Sequence, residues 1–228
     1  MEIKAYAKIN LTLEVLGRRP DGYHEVRTVL QTIDLTDILN ITRASHLKME
    51  CSVPELGNKD NLVWKAASAL RRAAECDKGA KIHLEKHIPV GMGLGGGSSD
   101  AAATLKALNN LWGIQMHDAG LQSIAASLGS DVPFFLRGGT ALGEGRGEVM
   151  TELHPLPQLW MVLCCSPSRS SQGGGPFPDK TARLYSMVAP ENYTDGSHTS
   201  SVVDFIESCR NPTVDTEEAG PLPSLFNV

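Results

Sequence analysis

Between residues 2 and 16 the apolar positions partly alternate, with Ile9, Leu11, Leu13 and Val15 falling two apart, the period of a half-buried strand. Arg18-Arg19-Pro20-Asp21-Gly22 carries turn chemistry and Tyr23 to Ile33 reads as strand again, so the chain opens as a hairpin. A short strand is predicted over 38–41. The period changes after Asp60-Asn61, where Val63, Ala66, Ala67 and Leu70 fall on one helical face behind a capping residue. Lys81 to Val90 returns to strand, with Ile82 and Leu84 set against charged neighbours. Helices are predicted over 99–112 and 118–128, with strand-like pieces at 134–136 and 160–165. Strands and helices come in blocks, which argues for an α+β fold.

The texture changes after Cys165. Ser166 to Pro178 holds four serines, three consecutive glycines and three prolines, a linker composition. Short helices are predicted over 180–188 and 200–209, and 211–223 is rich in turn residues. The expected organisation is a larger domain over residues 1–165 and a partial second domain over 166–228, with Leu184, Val203 and Phe205 exposed.

Composition narrows the function classes. With 228 residues and 41% hydrophobic content the chain can bury a sizeable core. A formal net charge of -5 and the lack of any basic stretch interleaved with aromatics exclude a nucleic-acid surface. The charged N-terminus lacks the apolar core of a signal peptide, and no run is apolar enough to span a bilayer, so a cytoplasmic location without membrane association is expected. Cys51, Cys76, Cys164, Cys165 and Cys209 form no C-x-x-C pair and are expected to be buried, reduced thiols.

The candidate chemistry centres on Ile88 to Leu108, "IPVGMGLGGGSSDAAATLKAL", where five glycines and two serines join a strand pattern to an Ala/Leu-rich helix pattern. A linker would be flanked by polar, structureless sequence, and this run is not. Glycines permit positive φ and let backbone N–H groups converge, and the helix start adds unpaired donors and the positive dipole end. The composition is that of a phosphate cradle. Gly91, Gly93 and Gly96 match G-x-G-x-x-G, but a second helix follows where a dinucleotide fold needs a strand. No Lys-Ser/Thr pair closes the loop as in a Walker motif, and the protein-kinase motifs are missing.

Phosphoryl transfer also needs charge neutralisation and a group to prepare the attacking hydroxyl. Asp131, in Leu128-Gly129-Ser130-Asp131-Val132-Pro133, has two open readings: a turn or helix-capping carboxylate, or a group projecting into a cleft. Lys8 interrupts a strand otherwise suited to burial, and is either an ordinary edge-strand lysine or a functional cation. Asp100 reads as a first-turn residue complementing the helix dipole, and Asp21 and Asp37 as turn carboxylates. The histidines outside Tyr23-His24 are scattered without metal-ligand spacing, so no protein-built metal centre is expected.

Three collinear segments carry a resemblance: "AYAKINLTLEVLGRRPDGYHEVRTVLQTIDLTD", "IPVGMGLGGGSSDAAATLKALNNLW" and "LGSDVPFFLRGGTALGEGRGE". Together they resemble the GHMP kinase superfamily over residues 3 to 165. The A-K-I-N-L opening followed by D-G-Y-H is similar to the branch acting on a cytidine diphosphate methylerythritol, rather than to mevalonate or homoserine kinases. The resemblance implies a GHMP kinase fold, with a ribosomal protein S5 domain 2-like N-terminal domain and an incomplete ferredoxin-like C-terminal domain. It implies a cytoplasmic small-molecule kinase of non-mevalonate isoprenoid biosynthesis, a monomer or weak homodimer, using ATP and Mg²⁺ to phosphorylate the 2-hydroxyl of that substrate.

Lys8 and Asp131 become the catalytic pair by this resemblance. Pro89, Val90, Gly91, Met92, Gly93, Leu94, Gly95, Gly96, Gly97, Ser98 and Ser99 become the ATP loop, with a hydroxyl of Ser98 or Ser99 offered to Mg²⁺. Tyr23 and His24 match positions that recognise the cytosine, by stacking and by hydrogen bonding. Asn10 lies near the same substrate, and Tyr185 matches the second aromatic of the base sandwich. A third glycine-rich motif found in the family has no counterpart here, so a C-terminally truncated chain is expected, with a nucleotide-binding but catalytically impaired fragment as the alternative function.

Overall fold

The computed structural model describes residues 1–164 and 180–209. The chain divides into two compact units, Met1–Ile9 with Thr32–Gly138, and Asn10–Gln31 with Gly139–Val228. This division differs from the expected boundary at 165/166, and the cause is strand length. β1 (Glu2–Arg18) and β2 (His24–Ala44) run for 17 and 21 residues, so each contributes to both units. β2 also fuses the two strands expected over 23–33 and 38–41, because the polar stretch Asp34 to Asp37 stays in the strand.

In the first unit β4 (Gly79–Glu85) pairs antiparallel with β2, setting Ile41 opposite Ile82 and Leu39 opposite Leu84, and parallel with β3 (Lys48–Cys51). Those four apolar side chains are fully buried, each stabilising the fold by about 1.5–3 kcal/mol relative to an exposed position. β4 stops at Glu85, five residues short of the expectation. Pro89 has no N–H to give a ladder, and the N–H groups of His87 and Ile88 donate to the Asp37 carboxylate instead.

Helix α1 (Leu62–Ala73) forms as its pattern requires: the Asn61 side chain accepts from the Val63 N–H at 2.9 Å, and Val63, Ala66, Ala67 and Leu70 are its buried residues. α2 (Gly96–Trp112) packs against α1 and against α4 (Val132–Arg137). Its alanines at 101, 102, 103 and 107 are buried and permit close approach. It starts three residues earlier than expected, since the glycines themselves supply the first turn, and it ends at Gly113 in the left-handed region. α3 (Asp118–Leu128) has the expected bounds. α4 is a helix where a strand was expected over 134–136. Three apolar residues cannot fix a period, and Pro133 in the first turn with Gly138 at the end favours a short helix.

In the second unit residues 28–31 of β2 pair antiparallel with β5 (Thr140–Glu144), which pairs antiparallel with β6 (Val149–Glu152). Neither β5 nor β6 is expected from its short, weakly alternating sequence. α5 (Lys180–Ser186) and α6 (Ser197–Ser208) lie close to their expected places. Val202 and Ile206 of α6 are buried, and the Thr199 N–H donates to the buried Glu14 carboxylate at 2.6 Å. Val203 and Phe205 are half-buried rather than exposed, whereas Leu184 is exposed.

Residues 160–164 form no strand; Trp160 and Val162 are 93% and 87% exposed. Cys51, Cys76 and Cys209 are half-buried and Cys164 is exposed, all four as free thiols, so the expectation of burial fails for them. Cys165, the linker-like 166–178 and the turn-rich 211–223 lie outside the described residues. Among the described residues no helix is long and apolar enough to cross a membrane.

Candidate active site

The glycine run is the wall of a cleft of about 350 Å³ in the first unit. Every loop residue from Pro89 to Ser98 lines it, and Ser99, which is buried, does not. Gly91, Gly93 and Gly95 have φ of 76°, 77° and 70°, an alternation of left-handed residues that only glycine adopts without strain. Gly95 is also a point of close approach: a Cβ there would sit 2.6 Å from the Phe135 ring and 3.0 Å from Lys8 Cγ. α2 begins immediately afterwards, so its first-turn N–H groups, at the positive end of the helix dipole, open beside the same loop.

Lys8 and Asp131 meet at this cleft. The Lys8 N–H donates to the Leu94 carbonyl at 3.0 Å, which ties β1 to the loop, and the Lys8 side chain is buried. Its Nζ stands 3.8 Å from Asp131 Oδ2, an ion pair looser than a hydrogen bond. Asp131 occupies the position preceding α4, yet its side chain makes no capping hydrogen bond. It is 43% exposed and lines the cleft, so of its two readings the structure selects the projecting carboxylate. Lys8 is likewise no ordinary edge-strand lysine.

Beneath the loop lies a second charged group that the sequence did not reveal. Lys86 Nζ is held between Asp37 Oδ2 and, at 2.9 Å, Asp100 Oδ2, with all three side chains at least nine-tenths buried. Asp37 is therefore not a turn carboxylate; it sits within β2 and its Oδ1 accepts from the His87 and Ile88 N–H groups. Asp100 is not a first-turn dipole residue either, because α2 starts at Gly96 and places it beyond the first turn. Its Oδ1 is buried without a hydrogen-bond partner, and burial, with the neighbouring Asp37 carboxylate, pushes its pKa up to about 7 against the pull of Lys86. Lys86 is raised: burial works against its charge, but the two carboxylates outweigh that cost. The one available signal was a lysine closing an alternating strand, with acidic residues 49 positions before and 14 after it, a separation no local pattern detects. Lys86, Asp100, Leu56, Asn61 and Leu62 complete the wall of the cleft, and none of them was foreseen there.

The other candidate residues lie in the second unit. Asn10 Nδ2 donates to Thr28 Oγ1 at 2.7 Å. Tyr23 is 56% exposed, with the Arg146 guanidinium 4.7 Å from its ring centroid. Arg146 comes from the β5–β6 turn and was not singled out in the sequence. Tyr185 stacks on His24, at 5.4 Å between centroids and 22° between planes, and Tyr193 approaches His24 edge-on at 6.2 Å. The described geometry thus stacks Tyr185 on His24.

Comparison with known proteins defines the class first. Residues 61–139, which hold the loop, α2 and Asp131, match the GHMP kinases N terminal domain. The chain is similar to the 4-diphosphocytidyl-2-C-methyl-D-erythritol kinase of Pelotomaculum thermopropionicum, 49% identical over 189 residues covering 82% of this chain and 63% of that one. It is similar to the enzyme of the same name from Symbiobacterium thermophilum, 40% identical over 227 residues covering 94% and 80%. A crystal structure of 4-(cytidine 5'-diphospho)-2C-methyl-D-erythritol kinase superposes with a TM-score of 0.70 at 33% identity, over 97% of this chain and 76% of that one. The chain belongs to the 4-diphosphocytidyl-2-C-methyl-D-erythritol kinase family, and its match spans less than two thirds of the length of the Pelotomaculum relative.

Proposed function

We propose that the chain transfers the γ-phosphoryl group of ATP to the 2-hydroxyl of 4-diphosphocytidyl-2-C-methyl-D-erythritol, in the cytoplasm, as a step of isoprenoid biosynthesis. The observation that carries this is the Lys8–Asp131 pair at the edge of a glycine-walled cleft, in a chain of this family. Asp131, uncommitted to capping and open to the cleft, orients the substrate hydroxyl and accepts its proton as the oxygen attacks. The new O–P bond forms as the bond to the β–γ bridging oxygen breaks, releasing ADP. Lys8 offsets charge on the attacking oxygen.

Loop and first-turn N–H groups take the phosphates, and Leu56, Leu62, Pro89 and Val90 offer apolar surface to the nucleotide. Among the described residues no cluster of three or more His, Cys, Asp or Glu stands ready for a metal. Mg²⁺ keeps several waters and binds chiefly through substrate phosphates, and the Ser98 hydroxyl on the cleft wall would be the side-chain oxygen offered to it. Tyr23, His24 and Asn10 take the cytidine-linked substrate, and Tyr185 acts with His24.

The test is an assay with ATP, Mg²⁺ and 4-diphosphocytidyl-2-C-methyl-D-erythritol, run beside mevalonate and homoserine. Phosphorylation of the cytidine-linked substrate alone is expected. Transfer to mevalonate or homoserine, or nucleotide binding with no transfer to any of the three, overturns the reading.

A further inference from the structure

The ladder between β2 and β4 ends with Ile38 opposite Glu85. Beyond that rung the carboxylate of Asp37, the preceding residue of β2, takes over from the backbone. Its Oδ1 accepts from the N–H groups of His87 at 2.6 Å and Ile88 at 2.8 Å, and its Oδ2 holds Lys86 Nζ. One fully buried side chain therefore fixes three consecutive residues at the entrance to the glycine loop, with hydrogen bonds strengthened by its charge. Those residues form the seat of α2. Gly96, the first residue of that helix, lies against two of them: a Cβ there would sit 3.0 Å from Ile88 Cγ2 and 3.1 Å from Lys86 Nζ. Ile88 is also buried in one apolar cluster with Ala7 and Leu94, against which Met92 packs. Gly91, Gly93 and Gly95 all turn through the left-handed region and have no side chains to hold them, so the direction of the loop N–H groups depends on how its ends are fixed.

We infer that Asp37 is a positioning residue for the nucleotide: through the N–H groups of His87 and Ile88 it anchors the start of the glycine loop and the seat of α2, so that the loop and first-turn N–H groups converge before ATP arrives. Asp37 itself does not line the cleft. The inference rests on the nucleotide role proposed for the loop. Donors ordered in advance bind without an ordering cost, so loss of the anchor weakens ATP binding and leaves the bound complex able to react.

The experiment uses the full chain with ATP and Mg²⁺. In ¹⁵N-labelled wild type without ligand, the His87 and Ile88 N–H groups should exchange slowly with water. Asp37→Ala should lose that protection and bind ATP about 10-fold more weakly, with KM for ATP raised by a similar factor and kcat at saturating ATP within about 2-fold of wild type. Asp37→Asn keeps an oxygen for the two N–H groups while Lys86 remains paired with Asp100, and should bind ATP within about 3-fold of wild type. A side chain needed only for stability would instead lower kcat with the folded fraction and leave KM alone. If Asp37→Ala fails to fold, Asp37→Ser, too short to reach both N–H groups, carries the same expectation. Rapid exchange of both N–H groups in the wild type overturns the inference without any variant. Wild-type ATP affinity in a folded Asp37→Ala protein, a loss of kcat at unchanged KM, or an Asp37→Asn protein no better than Asp37→Ala also overturns it. A wild type that binds no ATP overturns the reading of the loop, and the inference falls with it.

Discussion

Two lysine–aspartate groups lie within one unit, and they are built oppositely. Lys86 is closed between Asp37 and Asp100, with a contact of 2.9 Å to the latter and at most 6% side-chain exposure at any of the three. Lys8 faces the Asp131 carboxylate at 3.8 Å, and that carboxylate is 43% exposed and opens to the cleft. A buried cation between two carboxylates cannot lose a partner without leaving charge stranded away from water. An open pair can exchange its partner for a substrate hydroxyl at little cost. The same side-chain chemistry is therefore closed off from water in one case and open to it in the other, although Lys86 and Asp100 also reach the wall of the cleft.

The largest expected effect breaks the closed group. Lys86→Met leaves two buried carboxylates facing each other and should destabilise the fold by about 3–5 kcal/mol in urea unfolding. Lys8→Met, whose partner can be solvated, should change stability by about 1 kcal/mol or less. Equal losses would erase the distinction between the two groups.

Next in size is Gly95→Ala. It places a methyl group at φ 70° and 2.6 Å from the Phe135 ring, and should cost about 1–3 kcal/mol from backbone strain, with loss of nucleotide affinity. Wild-type stability and ATP affinity in this variant would show that the loop geometry is not required.

A smaller effect concerns pH. The folded state holds the Asp100 proton up to about 7, whereas the unfolded chain releases it near the ordinary value of 3.8. Across that window the folded state binds more protons, so this group's contribution to stability falls as pH rises and levels off above it. Asp100→Asn should flatten that part of the stability profile. A slope unchanged by the substitution would remove Asp100 as its source.

What the sequence made legible follows from how local each signal is. The four buried positions of α1, the Asn61 cap and the bounds of α3 are set by neighbours within a turn or two, and the pattern reads them directly. The glycine loop was legible because composition alone distinguishes it. Asp37 read as a turn residue because its partners, Lys86 and the N–H groups of His87 and Ile88, lie some 50 positions away. α4 was mistaken for a strand because six residues are too few to display a period. The division into two compact units is not marked in the sequence for a similar reason, as two unbroken strands carry no sign where they pass from one unit to the other. Lys8 and Asp131 were visible as candidates, but only their meeting at the cleft chooses between the readings each allowed.

The central claim is that the open pair performs the chemistry, and single-turnover kinetics of Asp131→Asn beside a direct measurement of ATP affinity test it most directly. The account predicts turnover lower by about 10² or more, with the ATP dissociation constant changed by no more than about 2-fold, because the carboxylate acts on the acceptor hydroxyl and not on the nucleotide. Turnover close to wild type, or a loss explained entirely by weaker ATP binding, would contradict it.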